Sequence, residues 1–181
     1  MRAVQAFRLG ILGMAAVMAA VFGVLYFQGD VVRNKLVSVA DVGGPFRLAS
    51  SNGSFVDSRD LLGRPYGVFF GFTHCPEVCP TTLYEMTKTL AAVGGEAREF
   101  RLFFITVDPE RDTAPMLKDY LSNFDPRMEA LVPTPDELSK VAKEFRAIYE
   151  KVPASDGEYT MNHTATIYLM NARGQFASTI S

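Results

Sequence analysis

Two apolar runs, YGVFFGFT at residues 66–73 and RLFFITV at residues 101–107, constrain the fold more than any other feature of the chain. Each is rich in aromatic and β-branched residues and lacks the alternation of a strand with one wet face, so each reads as a buried strand. The stretch between them opens with Pro80 at a first-turn position and closes at Gly94-Gly95, the start and stop signals of a helix over residues 80–93. Together they predict a β-α-β unit, with Phe69, Phe70, Phe103 and Phe104 in its core.

The flanking sequence extends this unit. Residues 46–48 and 54–56 surround Ser51-Asn52-Gly53, where Asn-Gly supplies the positive φ angles of a tight hairpin turn. Helices are predicted over residues 114–124 and 136–149; the second follows Thr134-Pro135-Asp136-Glu137, which has the spacing of a capping box. A short strand is expected at residues 129–132, and a closing hairpin from residues 163–170 and 175–180 around Asn171-Ala172-Arg173-Gly174. This order predicts an α/β domain over residues 45–181, a mixed central sheet flanked by helices of the thioredoxin-like kind. Such a domain ordinarily closes with a further helix, and the expectation is that this C-terminal helix is missing, the sequence being truncated at Ser181.

Residues 9–27, LGILGMAAVMAAVFGVLYF, carry no charge and have about the length an α-helix needs to cross a bilayer. Arg2 and Arg8 precede them and mixed charges follow, so residues 1–8 are expected on the cytoplasmic or matrix side, with residues 28–44 as a tether. The alternative is a cleaved signal peptide, whose apolar region is typically shorter, and no clean small-x-small cleavage site follows this one. The anchor predicts a single-pass inner-membrane protein, its domain in the bacterial periplasm or the mitochondrial intermembrane space, both of which permit disulfides. A net charge of -2 with no basic run excludes nucleic acid as a partner.

The chemistry concentrates in GFTHCPEVCP, residues 71–80, where a buried strand ends, a turn carries two thiols and a helix begins. Pro80 places Cys79 beside the helix N-terminus, whose dipole is expected to favour the Cys79 thiolate. Thiolates serve either disulfide exchange or binding of copper(I). His163, read as the first residue of an antiparallel strand, would lie at the sheet edge that carries the cysteines. Two thiolates and one imidazole suit copper, whereas structural zinc takes four ligands and only His74 could be the fourth. His74 is expected to shape the site, and Glu77 to face solvent. A thiol-disulfide oxidoreductase using Cys75 and Cys79 is the rival reading, although its usual motif has two residues between the cysteines. A peroxidase would need an arginine in this turn, and there is none.

With these residues in view, GFTHCPEVCPTTL, ITVDPERDT, YLSNFDPR and YTMNHTATIYLM resemble the SCO/SenC family of copper proteins over nearly the whole exported domain. The resemblance implies a thioredoxin-like fold behind a membrane anchor, and copper held by Cys75, Cys79 and His163. It also implies a role in oxidase assembly: delivery of copper to the CuA centre in subunit II of cytochrome c oxidase, or reduction of that centre's cysteines. Asp108 and Asp112 match acidic positions of the family motif, either beside the site or as docking groups, or else as turn formers.

Overall fold

The computed structural model describes residues 42–154 and 157–181, together with Met18 and Phe22, which are helical and exposed. The expected N-terminus, the 9–27 anchor apart from those two residues, and most of the 28–44 tether lie outside the described residues. Among those described, no helix is long and apolar enough to cross a membrane.

The order of elements follows the apolar pattern. Strands β1 (Arg47–Ser50) and β2 (Phe55–Asp57) form the first hairpin, with Gly53 at φ +84° in the turn. Next come β3 (Tyr66–Gly71), α1 (Val78–Val93) and β4 (Arg101–Thr106). Helix α2 (Ala114–Leu121), strand β5 (Met128–Val132) and helix α3 (Pro135–Phe145) follow. The chain continues through β6 (Tyr149–Pro153), β7 (Tyr159–His163), β8 (Ile167–Met170) and β9 (Phe176–Ile180).

Seven strands form one mixed sheet in the order β2-β1-β5-β4-β3-β8-β9. The parallel trio β5, β4 and β3 lies at its centre, where Phe69, Phe70, Phe103 and Phe104 are fully buried, as the unbroken apolar runs require. Strand β8 runs antiparallel to β3, pairing Phe69 with Ile167, so the start of β8 sits at the C-terminal end of β3.

Three expectations need correction. The helix predicted over 136–149 stops at Phe145, because Arg146 turns left-handed at φ 53° and its N–H caps the carbonyls of Ala142 and Lys143. Its N-terminus is as expected: Thr134 and Glu137 form the reciprocal capping box. The helix predicted over 114–124 ends at Leu121, where the N–H of Ser122 closes the last turn on Lys118 and Asp119. The strand predicted over 163–170 is two strands. His163 ends β7, which pairs with β6 in a separate two-stranded ribbon that was not expected, and β8 begins at Ile167.

Candidate metal centre

Strand β3 delivers the chain to the thiol turn. Gly71 ends the strand; a Cβ there would fall 2.7 Å from the Phe104 ring and 3.1 Å from Cys79 Sγ, so only glycine lets the backbone pass this close. The turn folds back through a hydrogen bond from the Cys75 N–H to the Phe72 carbonyl (3.3 Å), and α1 begins at Val78. Pro80 occupies the first turn of this helix, where its missing N–H costs nothing.

The cysteines are unlike each other. Cys79 is fully buried, and that burial pushes its thiol well above the usual range, the nearby sulfur of Cys75 adding to the effect. The dipole expected to favour a Cys79 thiolate is therefore overridden by desolvation. The helix terminus serves Cys75 instead: the sulfur of this half-buried residue accepts the N–H of Cys79 at 3.3 Å.

His163 arrives from β7. Its ring stands edge-on to Phe72 (centroids 5.6 Å apart) and Phe69 (6.3 Å). Nδ1 lies 3.2 Å from the Thr164 carbonyl and Nε2 3.5 Å from Cys79 Sγ. A carbonyl can only accept, so the proton resides on Nδ1 and the Nε2 lone pair faces the sulfurs. Burial lowers the imidazole pKa, opposed by the carbonyls of Thr164 and Phe70, so the ring is held neutral and ready to donate its lone pair.

The two sulfurs and one ring nitrogen lie within 4.8 Å of one another, and among the described residues no other trio of metal-binding side chains gathers in this way. Both thiols are free. This donor set, two soft sulfurs and an imidazole without a fourth protein ligand, fits copper better than a closed tetrahedral zinc site. His74 is exposed and turns Nδ1 toward Thr73 Oγ1 at 3.0 Å; Glu77 is exposed as expected.

The two acidic residues, Asp108 and Asp112, are buried. Asp112, with no exposed surface, accepts the Thr73 N–H (3.1 Å), the Thr73 hydroxyl (2.5 Å) and the Thr106 hydroxyl (2.6 Å), tying down the residue that leads into His74-Cys75. Asp108 receives Arg111 Nε (2.5 Å) and the Tyr159 hydroxyl (2.9 Å). Thr73, Thr106, Arg111 and Tyr159 were not singled out from the sequence. The available signal was an aspartate, Asp108, just past the end of an apolar strand, which must find buried donors.

Residues 34–181 match the family model described as SCO1/SenC. The chain belongs to the SCO1/SenC family. A family relative, the mitochondrial SCO1 homolog 1 of Arabidopsis thaliana, is 34% identical over 138 residues, 76% of this chain. Those residues span 41% of that relative's length. The solved structure of Bradyrhizobium japonicum ScoI with copper bound is 49% identical, with a TM-score of 0.73 over 77% of this chain and 89% of that one. BsSco, described through a disulfide switch and as a member of the Sco family of cytochrome c oxidase assembly proteins, is 25% identical. Its TM-score is 0.61 over 77% of this chain and 83% of that one. The SCO fold here is thioredoxin-like, a central sheet flanked by helices.

Proposed function

We propose that this chain is a membrane-anchored copper chaperone that carries copper on Cys75 Sγ, Cys79 Sγ and His163 Nε2. Its destination is the CuA centre in subunit II of cytochrome c oxidase. The observation that carries this reading is the convergence of two free thiols and a neutral imidazole whose tautomer leaves Nε2 facing them. The copper-bound relative and the assembly role of the Sco family support it. Copper is cargo, and it supplies the bonds that draw the three donors together. The protein contributes the rest: Asp112 anchors the thiol turn, the carbonyl of Thr164 fixes the imidazole, and Phe69 and Phe72 shield it from water. Residues 9–27 would hold the domain at the inner membrane, facing the periplasm or the intermembrane space.

A second reading is favoured by the closeness of the two free thiols, the Cys79 N–H reaching the Cys75 sulfur at 3.3 Å: a thiol-disulfide oxidoreductase that keeps the CuA cysteines reduced. Closing the pair releases two protons and two electrons, which would reduce a disulfide on the partner to two thiols. The two readings meet in one protein, since thiolates bind copper and a disulfide does not. The deciding experiment is copper stoichiometry with X-ray absorption on the reduced full chain beside His163→Ala. One copper per chain with sulfur and nitrogen scatterers, the nitrogen lost in the variant, supports the chaperone. A folded, reduced protein that retains no copper favours the oxidoreductase.

A further inference from the structure

The candidate centre is assembled from two bodies. Cys75 and Cys79 belong to the seven-stranded domain, whereas His163 ends a ribbon, β6 and β7, that pairs with no strand of the main sheet. An isolated two-stranded ribbon is marginal in water, so its position depends on what clamps it.

Met161 of β7 seats the ribbon in the hydrophobic core, and the polar clamp beside it is built from residues 108–112, the segment that follows β4. Arg111 reaches the ribbon in two ways: Nη1 donates to the Tyr159 carbonyl at 2.9 Å, and the guanidinium lies 3.7 Å from the centroid of the Tyr159 ring. The Tyr159 hydroxyl returns to Asp108 at 2.9 Å, while Asp108 also holds Arg111 through Nε. Glu110 binds Lys151 of β6 at 2.7 Å, and the Lys151 ammonium lies 3.9 Å from the same tyrosine ring. At the far end of the segment Asp112 ties Thr73, at the entrance to the thiol turn. One short stretch of chain thus grips both halves of the centre.

We propose that residues 108–112 form a strut that sets the separation of His163 from the two thiols, with Arg111 and Tyr159 as positioning residues. The consequence for copper rests on the reading of His163 as a ligand; the strut itself does not. Arg111 suits the task because its planar fork satisfies a carboxylate and a carbonyl at once while stacking on an aromatic face, which a lysine cannot do. Asp108, only 3% exposed, balances its charge. Removing the fork leaves the thiol turn held by Asp112 but loosens the ribbon, which keeps Lys151 on Glu110 and Met161 in the core.

The test is amide hydrogen exchange on the reduced, metal-free full chain, comparing wild type with Arg111→Ala, Arg111→Lys and Tyr159→Phe. The ribbon amides of β6 and β7 should exchange about tenfold faster in Arg111→Ala, the scale of one lost charge-assisted hydrogen bond, with β3 and β4 unchanged. Arg111→Lys should recover part of the protection. Copper(I) affinity, measured by chelator competition, should fall by a similar factor, while the rate of disulfide formation between Cys75 and Cys79 stays at the wild-type value. Ribbon exchange equal to wild type in a folded Arg111→Ala protein overturns the strut. Should that variant not fold, Tyr159→Phe, which loses one hydroxyl, decides by the same comparison. Failure of the wild type to take up copper would refute the ligand reading and leave the exchange result to judge the strut.

Discussion

The carboxylate of Asp112 accepts both the backbone N–H and the hydroxyl of Thr73, a residue 39 positions away. With the Thr106 hydroxyl this makes three donors on one fully buried group. Asp112→Ala removes the acceptor altogether, leaving the Thr73 N–H and the two hydroxyls without their shared partner in a dry site. A loss of about 2 to 3 kcal/mol is expected, the scale for a buried group left without its partners, measurable as a lower urea midpoint.

The unequal burial of the cysteines predicts unequal chemistry. Cys79 has no exposed surface and its thiol is pushed up by burial, whereas Cys75 as a residue keeps part of its surface open to solvent. Alkylation of the reduced full chain by iodoacetamide should modify Cys75 first, by about tenfold or more, because the thiolate is the nucleophile and needs access. In urea the two rates should converge. Preferential labelling of Cys79 in the folded protein would contradict this arrangement.

His163 gives a pH dependence whose sign is fixed by its surroundings. Burial lowers its folded pKa below the usual 6.5, so as pH falls from that value the unfolded chain takes up the proton before the folded one does. Its contribution to stability is complete above about pH 6.5 and is lost as pH falls through the folded value. Urea unfolding at pH 7.5 and at pH 5 should show wild type losing more stability than His163→Ala. An equal loss in both would place the ring in a wetter site.

What the sequence disclosed follows from what burial enforces. The parallel centre was legible because Phe69, Phe70, Phe103 and Phe104 are buried on strands with no wet face, so the apolar run is unbroken. The β6-β7 ribbon was not legible: it pairs only with itself, its strands carry mostly partly exposed residues, and no period survives in YEKVP or YTMNH. His163 was nevertheless brought to the correct edge, since the three residues between it and β8 return the chain to the C-terminal end of β3. The thiolate expected at Cys79 was misread because a helix terminus is visible in sequence and desolvation is not. Arg111 and Tyr159 lie 48 residues apart, and nothing local to either announces the other.

Gly71 offers the most direct test of how the sheet shapes the centre. The residue lies at the end of β3, paired with Thr106, and its missing side chain is what lets Phe104 and Cys79 close over the backbone. In Gly71→Ala the new methyl would meet the Phe104 ring at 2.7 and 2.9 Å and Cys79 Sγ at 3.1 Å. Phe104 is fully buried and packs edge-on against Phe69, so it cannot move aside without disturbing the sheet. Overpacking of this kind costs about 1 to 3 kcal/mol, and the strain relaxes most easily toward the half-buried side of the site, displacing Cys79. The variant should therefore unfold at a lower urea concentration and alkylate at Cys79 faster than wild type. Valine at the same position should magnify both effects, because its branches reach further into the same two neighbours. A Gly71→Ala protein with wild-type stability and a protected Cys79 would mean that Phe104 has room to yield, and that the tight approach of strand and thiol is not needed to hold Cys79 in place.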